Sequence, residues 1–353
     1  MVPELRPPYK ERSRGGATAR LTVVLQRRQR MVAPAPLQPP HQLLAISGAT
    51  ALAGVLGQPV RHSLSPVLHN AALRELGLDW VYLALPVASE GLETVVRALE
   101  LLDCRGLNIT LPHKQAVCGL AAQLSPLAQR LGAVNTLVRR PQGGWLGTNT
   151  DVAGFLAPLQ AQGEEWSGRS AVVLGTGGSA RAVLAGLLEL GLGRITLAGR
   201  RPEPLAALLA AGQSWQAQAG AAMAATRLEA AAWPDATAGC ATPMTAALHG
   251  CELLVNTTPV GMASSQDPAA VQRSPLEQEQ LDRLPASATV YDLIYTPWPT
   301  ALLTQAHARG CRCLDGLAML VQQGAAALRL WSGREDVPVA AMRQAALAQL
   351  TED

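Results

Sequence analysis

Lysine and aromatic side chains are scarce in this sequence of 353 residues, which holds one phenylalanine and four tyrosines. Lysine occurs only at Lys10 and Lys114, although lysine and arginine together number 29. The core must therefore be built from aliphatic side chains, and arginine supplies nearly all positive charge. A lysine ammonium can act as an acid, whereas an arginine guanidinium keeps its proton at any accessible pH. Lys114 is therefore a candidate proton-transfer group.

Long apolar runs and ordered cysteine spacings are also missing. No run of about 18 uninterrupted apolar residues occurs, which argues against a transmembrane helix. The six cysteines show no disulfide framework, and Cys311 and Cys313 stand too close together for a zinc-binding pair. No cluster of histidine, cysteine and carboxylate side chains has metal-ligand spacing. We interpret the chain as a cytoplasmic protein with free thiols and no metal.

The small positive net charge comes from the first 50 residues. They hold eight of the 29 basic and two of the 26 acidic residues, which leaves 21 basic and 24 acidic residues in the body of the chain. This balance argues against a nucleic acid or an anionic membrane as partner. Residues 1–50 are either an organelle transit peptide or upstream sequence translated from an early start, with Met31 as the true start. The prolines and the shortage of serine favour the second interpretation.

From about Thr50 onwards, short apolar strands alternate with amphipathic helices. This alternation predicts an α/β fold with a mostly parallel sheet. A helix is expected over 114–122, after the strand that ends at Ile109. The alanine-rich residues 205–250 are expected to be helical in tendency and without a function of their own.

A glycine-rich loop lies between a predicted strand, Ser170–Leu174, and a predicted helix, Arg181–Leu190. The loop reads Gly175-Thr-Gly177-Gly-Ser-Ala180. In dinucleotide-binding folds the first glycine makes the turn, and the second lets the backbone approach the pyrophosphate at the helix N-terminus. The loop therefore predicts a dinucleotide site.

The end of the next strand predicts which dinucleotide is bound. An NAD site needs an acidic residue about 20 positions after the loop, to bind the ribose 2′-hydroxyl. This sequence has Gly199-Arg200-Arg201 there instead. Guanidinium groups bind a phosphate through two charge-assisted hydrogen bonds, so the sequence favours NADP (as NADPH).

Eight short motifs follow one another along the chain, and one of them is the glycine loop. The others are Gly57-x-Pro-x-x-His-Ser63-x-Ser65-Pro-x-x-His-Asn70, Asn108-x-Thr110-x-Pro-x-Lys114, Gly132-Ala-Val-Asn135-Thr136, Gly147-x-Asn-Thr-Asp151, Asn256-Thr-Thr-Pro-x-Gly-Met262, Tyr291-Asp-x-x-Tyr295-x-Pro and Gly316-x-x-Met-Leu-Val-Gln-Gln323. In this order the motifs give the chain a strong resemblance to the shikimate dehydrogenase family. The resemblance extends from about residue 51 to about residue 345.

The resemblance implies two α/β domains and an activity. Residues 51–152 and 317–350 would form the substrate-binding catalytic domain, with the C-terminal helices returning to it. Residues 153–316 would form a Rossmann-like NADP-binding domain. The implied reaction is the reversible, NADPH-dependent reduction of 3-dehydroshikimate to shikimate, in the pathway to aromatic amino acids.

The resemblance also assigns roles to residues. Lys114 and Asp151 would be the proton-transfer pair and would also contact the substrate. The other substrate-binding residues would be Ser63, Ser65, Thr110, Asn135, Tyr295 and Gln323. The cofactor-binding residues would be Gly175, Thr176, Gly177, Gly178, Ser179, Ala180, Gly199, Arg200, Arg201, Thr257, Leu293 and Gly316.

Two other functions are considered. A quinate/shikimate dehydrogenase with relaxed cofactor use is disfavoured by the two serines at 63 and 65 and by the arginines after the second cofactor strand. A non-catalytic NADP-binding regulator is disfavoured because both Lys114 and Asp151 are present. The sequence leaves open whether the protein is a monomer or a homodimer, and which of Lys114 and Asp151 releases the proton.

Overall fold

Two six-stranded sheets account for the strands of the described chain. The structure, a computed structural model, describes residues 46–352 with gaps at 219–222, 224, 234–242 and 264–266. Except for residues 46–50, the predicted leader over residues 1–50 lies outside the described residues.

The first sheet is formed by residues 51–148 and has the strand order β2-β1-β3-β5-β6-β4. Its strands are β1 (Ala51–Gly57), β2 (Trp80–Pro86), β3 (Gly106–Ile109), β4 (Gln123–Leu124), β5 (Thr136–Arg139) and β6 (Trp145–Thr148). Its helices are α1 (Ser65–Glu75), α2 (Leu92–Leu101) and α3 (Pro126–Leu131). Strands β2, β1 and β3 are parallel, whereas β5 runs antiparallel to both of its neighbours.

The second sheet has the strand order β12-β11-β10-β7-β8-β9, and all of its strand pairs are parallel. Its strands are β7 (Ser170–Leu174), β8 (Arg194–Gly199), β9 (Arg227–Ala232), β10 (Leu253–Asn256), β11 (Thr289–Asp292) and β12 (Arg312–Asp315). The helices along this part of the chain are α4 (Asp151–Gln160), α5 (Gly178–Glu189), α6 (Pro202–Gln218), α7 (Pro243–His249), α8 (Gln278–Leu281) and α9 (Ala301–Ala308).

The strand order of the second sheet reverses between β7 and β10, which are adjacent in the sheet. The chain moves outward from β7 through β8 to β9 on one side, and from β10 through β11 to β12 on the other. In open parallel sheets the loops at the carboxyl ends of two such strands separate and leave a crevice that binds ligands. The glycine loop follows β7, so this topology places it beside that crevice.

Helices α4 and α10 (Gly316–Ser332) join the two halves of the fold. Helix α4 leads from the first sheet to the second, and α10 follows the last strand of the second. The two helices touch at Gly154, where an added Cβ would lie 2.6 Å from Gln323 Cβ and 2.9 Å from Met319 O. The contact is therefore close because residue 154 has no side chain.

The end of the chain returns to its beginning. The last helix, α11 (Val339–Glu352), packs with α10 on α1 of the first sheet. Leu68 and Leu73 of α1 share an apolar core with Leu328 of α10 and Met342 of α11, and all four are buried. The C-terminal helices thus complete the core of the N-terminal sheet.

The predicted fold class, a two-sheet α/β protein with a Rossmann-like half, is confirmed. The helix predicted over 114–122 is wrong, because the chain forms turns there and a short 3₁₀ helix over Ala116–Gly119. The Lys114 carbonyl accepts from the Val134 amide at 2.8 Å, so it is not available to an α-helical ladder. The alanine-rich stretch contains strand β9, because parallel pairing with β8 overrides the helical propensity of alanine.

Within the described residues, no helix is long and apolar enough to cross a membrane. In the same part of the chain, no three histidine, cysteine or carboxylate side chains are grouped to hold a metal ion. The free thiols are those of Cys104, Cys118, Cys251, Cys311 and Cys313; Cys240 lies outside the described residues. Burial raises the pKa of the Cys251 thiol to about 12, so this cysteine is an unreactive core residue.

Candidate active site

The lysine singled out by its rarity forms an ion pair with the aspartate predicted to be its partner. Lys114 Nζ donates to Asp151 Oδ2 at 2.6 Å, and the two side chains are 20% and 10% exposed. Lys114 lies in the turns after β3, and Asp151 is the first residue of α4. The structure therefore brings together two residues that are 37 positions apart, in a site that is largely shielded from solvent.

Two further features position the Asp151 carboxylate. Its second oxygen, Oδ1, accepts from Asn135 Nδ2 at 2.7 Å. The carboxylate also lies at the N-terminus of α4, where the helix dipole favours negative charge. The Asp151 backbone amide donates to Asn149 Oδ1 at 2.9 Å, which fixes the start of the helix.

The Asn135 side chain connects the ion pair to the rest of the site. Its Oδ1 accepts from the Thr136 hydroxyl at 2.8 Å and from the Thr150 backbone amide at 2.7 Å. Its Nδ2 faces Asp151 and also lies 3.5 Å from Gln323 Oε1. Gln323, on α10, thereby reaches the site from the far end of the chain.

Local sequence explains how Asn135 arrives at this position. Ser125 caps helix α3 by accepting from the Ala128 amide at 3.1 Å, and Pro126 occupies the first turn. Gly132 ends the helix in the left-handed conformation, with φ at 61°, which glycine adopts without strain. The chain then turns directly into β5, so that Asn135 immediately precedes the strand.

The predicted serine and threonine contacts lie at the carboxyl edge of the same sheet. Ser63 and Ser65 follow β1, and Thr110 follows β3, which is parallel and adjacent to β1. Ser63 Oγ accepts from the Ser65 amide at 3.2 Å. Gly57 allows Thr110 to approach, because any Cβ at position 57 would overlap the Thr110 methyl group.

Tyr295 follows β11 of the second sheet and is separate from these side chains. It packs beside the core shared by α1, α10 and α11, and burial raises the pKa of its hydroxyl. Within the described residues it has no hydrogen bond to the Lys114–Asp151–Asn135 group. Its predicted role in substrate binding stays a prediction.

The glycine loop leaves a helix N-terminus uncovered. Gly175 has a φ of 111°, which is a glycine conformation, and its amide donates to the Ala198 carbonyl at 2.8 Å. Helix α5 begins at Gly178, and a Cβ added at Gly177 or Gly178 would meet no atom within 4 Å. Ala180 is fully buried. The free amides therefore face open space that could receive an anionic group.

Both arginines at the end of β8 are exposed. Among the described residues, neither Arg200 nor Arg201 forms an ion pair, so the guanidinium groups are available for an anionic ligand. Gly199 packs against Thr176, since a Cβ at 199 would lie 2.7 Å from the Thr176 methyl group. The residues present therefore fit NADP, with its pyrophosphate at α5 and its 2′-phosphate at the arginines.

The remaining predicted cofactor residues lie at the carboxyl ends of the neighbouring strands. The Thr257 hydroxyl, after β10, donates to the Leu174 carbonyl at 2.7 Å and packs against Gly175. Gly316 begins α10 directly after β12, and a Cβ there would overlap the Leu293 carbonyl. Thr257 therefore adjoins the glycine loop, while Leu293 and Gly316 form a close backbone contact further along the same edge.

Several polar residues of this site were not predicted. Asn108, Thr136, Asn149 and Thr150 are buried and hydrogen-bonded around Asn135 and Asp151. All four stand inside motifs noted in the sequence, so the motifs themselves contained the signal. Tyr82, which donates to Asn108 Oδ1 at 2.7 Å, stands in no such motif.

A doubly wound parallel sheet with a glycine loop, joined to a second sheet that carries a lysine–aspartate pair, defines a dinucleotide-dependent oxidoreductase. Residues 55–137 match the shikimate dehydrogenase substrate binding domain, and residues 316–347 match the shikimate 5'-dehydrogenase C-terminal domain. The chain is 46% identical over 307 residues to the shikimate dehydrogenase (NADP(+)) of Synechococcus sp. (strain JA-3-3Ab), covering 87% of this chain and 97% of that relative. The protein belongs to the shikimate dehydrogenase family, which confirms the predicted family.

Solved structures agree with this assignment. The shikimate 5-dehydrogenase of Thermus thermophilus in complex with NADP(H) and shikimate is 36% identical, with a TM-score of 0.69 over 84% of this chain and 99% of that one. The shikimate 5-dehydrogenase of Listeria monocytogenes in complex with shikimate and NAD is 30% identical, with a TM-score of 0.74 over 85% and 97%.

Proposed function

We propose that this protein catalyses the reversible, NADPH-dependent reduction of 3-dehydroshikimate to shikimate. The observation that carries the proposal is the 2.6 Å contact between Lys114 and Asp151, in a family whose relatives are named shikimate dehydrogenase (NADP(+)). The protein acts in the cytoplasm as a monomer or homodimer, and its partners are small molecules.

One helix links the two proposed sites. Helix α10 begins at Gly316, in the proposed cofactor site, and carries Gln323 towards Asn135 in the proposed catalytic site. Seven residues of α-helix span about 10 Å, which suits a substrate that lies between a nicotinamide and a proton-transfer pair. We assign residues 51–152 and 317–350 to substrate binding, and residues 153–316 to NADP binding.

The residues of the site supply the proton. NADPH supplies the hydride when it is bound. Negative charge then develops on the substrate carbonyl oxygen, where the Lys114 ammonium stabilises it and a proton is delivered. Asp151 holds the Lys114 ammonium in place, and the two residues release and recover the proton as a coupled pair.

The remaining polar residues suit a small polyhydroxylated carboxylate. Ser63 and Ser65 would bind the carboxylate of the substrate, while Thr110, Asn135 and Gln323 would bond to its ring hydroxyls and Tyr295 would line the site. Hydroxyl and amide groups at these positions match a polar ligand better than apolar side chains would.

An assay with purified protein tests the proposal. We expect oxidation of NADPH on addition of 3-dehydroshikimate, and reduction of NADP+ on addition of shikimate. NADH should be a much poorer substrate, and quinate should not replace shikimate. Equal rates with NADPH and NADH, or a preference for quinate, would contradict the proposed specificity. No turnover of either substrate would contradict the activity itself.

A further inference from the structure

A buried series of hydrogen bonds leads from Tyr82 to the proposed catalytic pair. The Tyr82 hydroxyl donates to Asn108 Oδ1 at 2.7 Å, and Asn108 Nδ2 donates to Thr136 Oγ1 at 3.2 Å. The Thr136 hydroxyl donates to Asn135 Oδ1 at 2.8 Å, and Asn135 Nδ2 donates to Asp151 Oδ1 at 2.7 Å. Each side chain thereby restricts the orientation of the next one.

The direction of donation is set at the tyrosine. An amide oxygen can only accept, so the Tyr82 hydroxyl must be the donor to Asn108. Asn108 Nδ2 then faces Thr136, whose own hydrogen is directed at Asn135 Oδ1. The Thr136 hydroxyl and the Thr150 backbone amide, which donates at 2.7 Å, together hold the Asn135 oxygen away from the Asp151 carboxylate and its nitrogen towards it.

Tyr82 is itself rigidly held. Its ring stacks on the His69 imidazole, with 4.0 Å between ring centroids and 6° between the ring planes. His69 Nδ1 donates to the Ser65 carbonyl at 2.9 Å. The Tyr82 backbone amide donates to Asn70 Oδ1, and Asn70 Nδ2 donates back to the Tyr82 carbonyl, both at 2.9 Å. The hydroxyl therefore has one fixed position.

Neither ring changes its charge near neutral pH. Burial raises the pKa of Tyr82 well above its usual value, against the opposing effect of the Ser65 side chain. Burial lowers the pKa of His69 to about 4, against hydrogen bonds to backbone groups. Asn108, Thr136 and Asn135 do not titrate.

We propose that Tyr82 is a positioning residue which, through Asn108 and Thr136, fixes the Asn135 amide so that Asp151 holds Lys114 in place. This inference rests on the proposed function and deepens it. Without the hydroxyl, Asn108 Oδ1 loses its donor, and the Asn108 side chain and the Thr136 hydroxyl are held less firmly. The Asn135 amide keeps its bond from the Thr150 amide but loses part of the support that aligns its nitrogen with Asp151.

Tyr82→Phe removes the hydroxyl and keeps the stacked ring. We expect kcat for shikimate oxidation to fall by roughly 10-fold, because small errors in position already slow an oriented reaction. The acidic limb of the kcat/KM profile should shift as well, because Asn135 Nδ2 is no longer held in line with Asp151 Oδ1.

Tyr291→Phe is the matched control. Tyr291 is also fully buried and stacked on an aromatic ring, that of Phe155, but its hydroxyl has no hydrogen-bond partner among the residues that the structure describes. This variant should retain the wild-type rate and pH profile. Equal losses in both variants would show that Tyr82 acts only as a core residue, and would overturn the inference.

A double-mutant cycle tests whether Tyr82 acts through the series. Thr136→Val interrupts the same hydrogen bonds one step from Asn135, so it should reproduce the fall in kcat and the shift of the acidic limb. Adding Tyr82→Phe to Thr136→Val should then change kcat by no more than about 2-fold and should not shift the acidic limb further, because the link is already broken. Effects that multiply in the double variant would overturn the inference.

A readout independent of activity separates this inference from the proposed function. The Asn135 side-chain amide protons, assigned in NMR spectra by their loss in Asn135→Ala, should exchange with solvent at least 10-fold faster in Tyr82→Phe than in the wild type. Unchanged exchange would overturn the inference even in an active enzyme. An inactive wild type with this faster exchange would overturn the proposed function alone.

Discussion

At the scale of single residues, the Lys114–Asp151 pair is defined by its surroundings. The pair is largely shielded from solvent, and the Asp151 carboxylate accepts from Lys114 Nζ on one oxygen and from Asn135 Nδ2 on the other. Donors on both oxygens fix the orientation of the carboxylate, and the carboxylate in turn fixes the position of the lysine ammonium. The pair is thus oriented before negative charge develops on a substrate beside the lysine.

Lys114→Ala should lower kcat for shikimate oxidation by about 10²-fold or more, which is the scale of general acid–base catalysis. Lys114→Arg is the matched variant, because it retains the positive charge but cannot release a proton. Both losses are measured at saturating NADP+ and shikimate. A near-wild-type rate in Lys114→Arg would show that charge, and not proton transfer, is what the site requires.

Arg200→Ala should raise KM for NADPH by about 10-fold or more and leave KM for NADH nearly unchanged. Hydrogen bonds to a charged phosphate are worth about 1.5–3 kcal/mol, and NADH has no 2′-phosphate. Arg194→Ala, at the opposite end of the same strand, is the control and should change neither value. An equal rise for both cofactors would contradict a role in recognising the phosphate.

His69 should make the protein less stable in acid. Burial lowers its pKa to about 4 from an unfolded value of 6.5. Between these values the unfolded chain binds more protons than the folded one, so stability falls as the pH is lowered from about 6.5 to about 4. The loss amounts to about 3 kcal/mol.

Urea unfolding at pH 7.5 and pH 4.5 measures this effect. The difference in the free energy of unfolding between the two pH values should shrink in His69→Phe, which cannot titrate. It should remain in His307→Gln, which changes an exposed histidine. An unchanged difference in His69→Phe would assign the acid sensitivity to other groups.

At the scale of elements, the close contact between α4 and α10 relates Asp151 to Gln323. Asp151 begins α4, and Gln323 lies on α10 where Gly154 of α4 touches it. A side chain at position 154 would separate the two helices. The glycine therefore sets the spacing on which the Asn135–Gln323 contact depends.

Gly154→Ala should destabilise the protein by about 1–3 kcal/mol, the usual cost of overpacking, and should reduce kcat. Gly119→Ala is the control, because a Cβ there would meet no atom within 4 Å. Urea unfolding and the shikimate assay measure both variants. Equal stability of the two would show that α4 and α10 adapt to the added methyl group.

Elements were predicted correctly from the sequence where the hydrophobic pattern agreed with the glycine and proline residues that mark the ends of helices and strands. Strand β7 was predicted with its observed bounds, Ser170–Leu174, because an apolar run that ends at a glycine defines it. Strand β9 was not predicted, because its alanines have no strand signal and only the neighbouring β8 selects the extended form. The short 3₁₀ helix over Ala116–Gly119 was also not predicted, because the hydrogen bond from the Val134 amide to the Lys114 carbonyl depends on tertiary structure.

At the scale of the whole molecule, the C-terminal helices cover the N-terminal sheet. Met342→Ala should destabilise the protein by about 2–5 kcal/mol, because it opens a cavity in the core shared by α1, α10 and α11. Leu330→Ala, at a position that is 49% exposed, should change the free energy of unfolding by less than about 0.5 kcal/mol. Urea unfolding compares the two. A small effect in Met342→Ala would show that α11 is not part of the cooperative core.

The sequence by itself determined the α/β class, the glycine loop, the arginines that favour NADP, and the candidate Lys114. These features depend on local pattern or on residue type, which can be read along the chain, whereas Asp151 was assigned by the resemblance to a known family. Tertiary structure decided which oxygen of Asp151 each neighbour binds, how Asn135 is oriented, and that Tyr82 lies at the start of the same series of hydrogen bonds. Those contacts join residues that are up to 188 positions apart, and only packing brings them within hydrogen-bonding distance.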